Sequence, residues 1–182
     1  MTTLKRFSSS GALISAICKE ADIVQYLSGR GIRFEVWPVS GALQENAKPE
    51  DILAEFETSV EALKKDAGFQ SADVIHLHPQ HEMRQELRKK FLDEHTHSDD
   101  EIRFFVAGRG LFYMHFQDEV ISVMCEQGDL IGVPANTKHW FDMGPEPSFT
   151  CIRLFTTPEG WVADFTGDKI ADRFPRFEEH DQ

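Results

Sequence analysis

The residues best equipped for chemistry are His95, His97, Glu101 and His139. On a strand, His95 and His97 project from one face and can share an ion. Glu101 has the same parity, but a straight strand would leave it about 13 Å from His97, too far for two ligands that each sit about 2 Å from one metal. The chain must therefore turn between them, and Ser98-Asp99-Asp100 supplies the short oxygen-bearing side chains that favour a turn. Three imidazoles and a carboxylate suit Fe2+, Ni2+, Co2+ or Zn2+, and a set without thiolate is a poor structural zinc knuckle. Four protein ligands leave two positions of an octahedral ion for a bidentate oxygen chelate. Arg103 shares the parity of Glu101 and so points toward the same interior, where an unpaired guanidinium is costly. Either an anionic ligand or a core carboxylate must answer it.

A second group, His76, His78 and His81, also contains a pair two residues apart. Pro79 ends that strand, and His81 opens a charged helical run to Phe91. We read this cluster as the polar face of a strand and a helix start.

The elements around these residues follow from hydrophobic periodicity. Ala12 to Cys18 reads as a strand, Lys19 to Leu27 as a helix, Ile32 to Val39 as an alternating strand, and Pro49 to Gly68 as an amphipathic helix with one apolar stripe. Beyond Phe91 the texture changes to short strands: Glu101 to Ala107, Gly110 to Phe116, Val120 to Cys125, Asp129 to Val133, His139 to Met143 and Phe149 to Phe155. Their separators are glycine-rich or acidic, as in Gly108-Arg109-Gly110 and Gln127-Gly128-Asp129. This pattern predicts a mainly β fold with flanking helices, an antiparallel jelly roll whose interior can hold a ligand. The chain of 182 residues, 41% hydrophobic, is expected to form a single domain, with helical decoration over about 1–92 and the β core over about 93–157.

A balance of 31 acidic to 19 basic residues, net charge −12, disfavours nucleic acid and anionic membrane surfaces as partners. Cys18, Cys125 and Cys151 are odd in number and lie in apolar runs, which predicts reduced core thiols in a reducing, cytoplasmic setting. The run after Lys5-Arg6 is too short and too quickly followed by Lys19-Glu20 for a secretory signal, and no stretch has the apolar length of a membrane span.

The run His95-x-His97-x-x-x-Glu101 with Gly108, and then Gly128, Pro134 and His139, resembles the two cupin motifs. Lys89 and Asn136 stand where that pattern has glycine, and Met143 where it has asparagine. FLDEHTHSDDEIRFFVAGRGLF and GDLIGVPANTKHWFDMG are similar, more narrowly, to the acireductone dioxygenase family, and the similarity continues through Arg153 and Trp161 to Asp168. The resemblance implies a cupin-type double-stranded β-helix barrel and one Fe2+ or Ni2+ per chain on His95, His97, Glu101 and His139. It further implies a cytoplasmic monomer that cleaves acireductone, 1,2-dihydroxy-3-keto-5-methylthiopentene, with O2 in methionine salvage. Arg103 would hold the ionised substrate, Glu94 would assist metal incorporation and Asp100 would relay local conformational change. Phe91, Phe141, Arg153 and Trp161 would wall the substrate pocket. Fold alone leaves another cupin oxygenase or isomerase, or a non-catalytic sensor, as alternatives.

Overall fold

The computed structural model describes residues 1–39, 47–157, 159–160 and 162–180. In chain order these form β1 (Thr3–Ser8), β2 (Leu13–Ile17), α1 (Glu20–Ser28), β3 (Arg33–Val36), α2 (Pro49–Glu55), α3 (Glu57–Ala67), β4 (Ser71–Leu77) and α4 (Arg84–Leu92). There follow β5 (His95–Thr96), β6 (Glu101–His115), β7 (Glu119–Glu126), β8 (Asp129–Val133), β9 (Lys138–Asp142), β10 (Phe149–Phe155) and β11 (Asp164–Phe165), then two 3-10 turns.

The organising element is β6, which belongs to two sheets. Its first half pairs with β10 and β8, and β4 and β3 add to their far sides. Its second half pairs with β7 and β9, extending through β1 and β2 on one side and through β5 and β11 on the other. The Gly108-Arg109-Gly110 separator expected between two strands is thus a corner inside one strand. Gly108 takes φ 71°, and a Cβ there would sit 1.9 Å from the Ser148 carbonyl oxygen, so only glycine lets β6 turn past the chain that enters β10. At the same corner the pairing with β10 slips by one residue. That bulge exchanges the faces: Glu101, Arg103 and Phe105 point inward before it, Phe112 and Met114 after it. All ladders are antiparallel, and among the described residues they end at edges instead of closing into a ring.

Between the sheets lies an apolar core of Phe105, Phe112, Met114, Phe141, Phe149 and Cys151 with residues of β1, α1 and β8. The outer face of the first sheet, Ile102, Phe104, Val106, Ile152 and Leu154, is covered by Ile52, Phe56, Val60 and Leu63 from α2 and α3. Burying each such aliphatic or aromatic side chain contributes about 1.5–3 kcal/mol before ordering costs. The outer face of the second sheet is covered by the C-terminal segment, where Phe174 packs on Trp140, Tyr113 and Phe7. Tyr113 donates its hydroxyl to the Pro175 carbonyl at 2.6 Å, which ties that segment down.

Three expectations are corrected. The first strand pairs with an additional one, β1, across the tight Ser8 to Ala12 turn, because the outward face of TLKRFS is polar and conceals its two core residues Leu4 and Phe7. The helix expected over 49–68 breaks at Phe56, whose backbone leaves helical geometry (φ −103°, ψ 14°) while its ring packs edge-on to Phe104 at 5.2 Å. Cys18 is exposed just past the edge strand β2, whereas Cys125 and Cys151 are buried and burial pushes the Cys151 thiol up to about 12.

Candidate metal centre

Glu94 to Asp100 leaves α4, forms the short strand β5 and bends before β6, as the turn residues require. His95 lies directly opposite His139 on β9, and β9 itself pairs with β6. This brings one ring nitrogen from each of His95, His97 and His139 within 4.8 Å of the others, all three side chains buried. Glu101 returns on β6 so that its Oε2 lies 3.3 Å from His97 Nε2 and 3.6 Å from His139 Nε2. Asp99 and Asp100 fix the bend: Asp99 Oδ2 accepts the Thr157 amide and hydroxyl, and Asp100 Oδ1 accepts the Ala135 amide at 2.8 Å. Asn136, next along, donates its amide to the His97 carbonyl and has φ 62°, which explains why the motif carries glycine there.

Each imidazole is oriented by a backbone carbonyl. His95 Nδ1 meets Asp93 O at 2.8 Å, His97 Nδ1 meets Val162 O at 2.9 Å and His139 Nδ1 meets Thr137 O at 2.7 Å. A carbonyl can only accept, so every Nδ1 carries a proton, and in the neutral ring every Nε2 presents a lone pair. Lone pairs on His97 and His139 therefore confront a carboxylate oxygen. His139 Nε2 and Glu101 Oε2 are buried without a hydrogen-bond partner. Acceptors facing acceptors in a buried space are destabilising alone and compatible with a shared cation, so the donor set fits a metal ion. Protonation is disfavoured as well, since burial and then the neighbouring His139 hold the His95 imidazole down to about 3. Burial pushes the Glu101 carboxyl up most strongly, yet the Arg103 guanidinium and the His139 and His97 imidazoles together outweigh it and hold the group well below the usual carboxylate range.

Arg103 reaches the site as its parity predicts. Its Nε donates to Glu101 Oε1 at 2.6 Å, its guanidinium rests on the Phe112 and Phe141 rings at 5.3 and 5.2 Å, and its Nη1 is buried without a hydrogen bond. Both readings of this residue meet here, because the core carboxylate is Glu101 and a donor remains over. Arg153 on β10 lies opposite Arg103 and is held by a two-pronged pair with Asp73 at 2.9 and 2.6 Å. Two arginines facing each other across a ladder repel, and each keeps its place through its own carboxylate.

A cavity of about 360 Å³ opens on this centre. Its polar wall contains His95, His97, Glu101, Arg103 and Arg153, and its apolar wall Ile75, Leu77, Leu87 and Phe91. Phe141 instead stands behind Arg103 in the core, tilted against Phe112 and edge-on to Phe149. Trp161 lies outside the described residues. Glu94 points away from the imidazoles, as the neighbour of His95 on a strand must, and bonds His115 Nδ1 at 2.6 Å and the Thr166 hydroxyl at 2.8 Å. The second histidine cluster assembles no comparable donor set: His76 bonds Thr150 Oγ1 at 2.8 Å, and the rings of His78 and His81 are 5.7 Å apart. Sequence reasoning missed Asp73, Phe155 and Phe165, the last two flanking His97 and His95. For Asp73 the signal was its inward parity on β4. Phe155 shares parity with Arg153.

Two antiparallel sheets sharing a bent strand around a buried imidazole and carboxylate set define a metal-binding cupin. The chain belongs to the ARD/ARD' family, whose model matches residues 15–163. It is 59% identical to the acireductone dioxygenase of Hahella chejuensis over 87% of this chain and 85% of that protein. It is 54% identical to that of Methylococcus capsulatus over 99% and 97%. A solved acireductone dioxygenase from Bacillus anthracis, with a cadmium ion in its active centre, superposes with a TM-score of 0.80 at 29% identity, covering 91% of this chain and 98% of that one.

Proposed function

We propose that this chain is an acireductone dioxygenase of methionine salvage, acting as a cytoplasmic, single-domain monomer with one Fe2+ or Ni2+ on His95, His97, His139 and Glu101. The observation that carries the reading is the orphaned Arg103 Nη1 beside a metal-ready donor set, in a chain at least half identical to relatives bearing that name. When bound, the metal supplies a Lewis-acid template on which a bidentate enediolate and O2 can be brought together.

The protein's own residues do the rest. Three carbonyl-anchored imidazoles already turn Nε2 toward the site, so binding costs them little reorientation. Arg103 Nη1 is placed to donate to an ionised substrate oxygen, and its rigid seat on Phe112 and Phe141 makes that donor preorganised. Arg153 adds positive potential from the opposite strand. The Ile75, Leu77, Leu87 and Phe91 wall matches the apolar methylthio tail, orienting the reactive end toward the donor set. Glu94 supports His115 and Thr166 behind the site, a placement suited to holding the β5 region during metal uptake, and Asp100 couples the bend to Ala135.

With Fe2+ the products are formate and 4-methylthio-2-oxobutanoate; with Ni2+ they are formate, carbon monoxide and 3-methylthiopropanoate. Chelated apoprotein reloaded to equal content with either ion and given acireductone and O2 tests this by headspace gas chromatography and product analysis. Carbon monoxide from the Ni2+ sample alone is expected. Identical products would overturn the dual outcome, and no oxygen uptake in either sample would overturn the activity.

A further inference from the structure

The mouth of the metal cavity is electrostatically unlike the rest of the molecule. The chain carries a net charge of −12, yet among the described residues the cavity lining holds Lys90, Arg103 and Arg153 against Glu101 as its one carboxylate. Arg103 and Arg153 are each committed to a carboxylate, Glu101 and Asp73. Lys90 is exposed on the last turn of α4, next to Phe91 of the apolar wall, and among the described residues it makes no ion pair. Its neighbours on the helix are used differently: Arg88 clamps Asp142 and Glu178, while Lys89 lines a separate surface hollow with Arg84 and Lys169. His81 completes the rim, its Nδ1 accepting the Met83 amide at 3.3 Å so that its remaining proton sits on Nε2 as a donor.

We infer that Lys90 is a substrate-steering residue, whose free ammonium at the cavity rim draws an anionic enediolate through the negative field of the protein toward Arg103. The inference rests on the acireductone reading. A conjugated enediol is a vinylogous acid and travels as an anion near neutral pH, so a chain of net charge −12 repels it everywhere except where cations are focused. One unpaired cation at the rim of a low-dielectric cleft acts on encounter rather than on the bond-breaking step. Lys89 serves as the internal control, since it occupies the same basic last turn and compensates the helix dipole equally well, but faces elsewhere.

The test uses the metal-loaded protein and four proteins in parallel: wild type, Lys90→Gln, Lys90→Glu and Lys89→Gln. Acireductone consumption is measured across ionic strength, with metal content and melting temperature recorded for each. The expected result for Lys90→Gln is a fall in kcat/KM of about threefold to tenfold at low salt with kcat unchanged. Lys90→Glu should fall further, both deficits should shrink as salt rises past the Debye screening range, and Lys89→Gln should match wild type. Equal kcat/KM and equal salt dependence in all four proteins would overturn the inference, as would a Lys89→Gln deficit equal to that of Lys90→Gln. A wild type that consumes no acireductone would overturn the activity itself, an outcome distinct from an active wild type indifferent to Lys90.

Discussion

At the scale of single residues, the site depends on atoms that have no partner within the protein. His139 Nε2 and Glu101 Oε2 are buried acceptors, and the three imidazoles have no freedom to turn their protonated nitrogens inward because carbonyls hold them. Replacing His97 by alanine removes one proposed ligand and leaves Glu101 without an imidazole at 3.3 Å. Metal content measured by mass spectrometry should fall from one per chain toward zero; full retention would refute the ligand assignment. Arg103→Lys keeps the charge but loses the planar fork that bonds Glu101 while offering Nη1. Metal should stay bound while turnover falls by about 10- to 100-fold in steady-state assays, the range expected for loss of a positioned charge-assisted donor.

At the scale of elements, the β6 corner holds a left-handed glycine and the β7 to β8 turn a buried carboxylate. Gly108→Ala puts a methyl group against the Ser148 carbonyl in a backbone region that alanine resists, with φ 71°. A loss of about 3 kcal/mol or more is expected from denaturant unfolding, because both chains at the corner are backbone and cannot rotate away. Asp129 opens β8, and its Oδ2 accepts the Thr2 hydroxyl at 2.5 Å and the Glu126 amide at 2.8 Å. Burial nevertheless pushes its carboxyl up to about 6. A group whose folded value exceeds its unfolded value, about 3.9, favours the native state below that unfolded value and loses this contribution as pH rises through the folded one. Asp129→Asn should therefore raise the melting temperature by several degrees at pH 7.5 and leave it near wild type at pH 4, since about two pKa units correspond to roughly 2–3 kcal/mol. Equal shifts at both pH values would show that the carboxylate is not the source.

At the scale of the whole molecule, the C-terminal segment acts as a strap that finishes both core and site. Phe174 closes the outer face of the second sheet against Trp140 and Tyr113, the Phe177 amide donates to Asp142, and Val162 supplies the carbonyl that orients His97. Phe174→Ala should cost about 3–5 kcal/mol, the range for deleting a buried aromatic ring, read from the denaturation midpoint. A change below about 1 kcal/mol would mean that the strap packs passively. The same variant should lower metal retention at elevated temperature, because loosening the strap frees the His97 anchor.

Much of this was legible in the chain. The glycine-rich and acidic separators located β8 and β10 to the residue, and the shared parity of His95 and His97 with a turn before Glu101 implied one converging site. Those inferences held because they depend on local geometry, in which a strand alternates whatever it pairs with. The two strands read around Gly108 became one, since a corner and a break leave the same glycines behind. Local parity also could not choose between His95/His97 and His76/His78, which look alike in sequence. Tertiary structure decided it by setting His139 directly across from His95 and by delivering the Val162 carbonyl to His97 from 65 residues away. Pairings of that span are fixed by where the chain returns, and a backbone carbonyl has no side-chain signature, so only the folded chain could reveal which histidines converge.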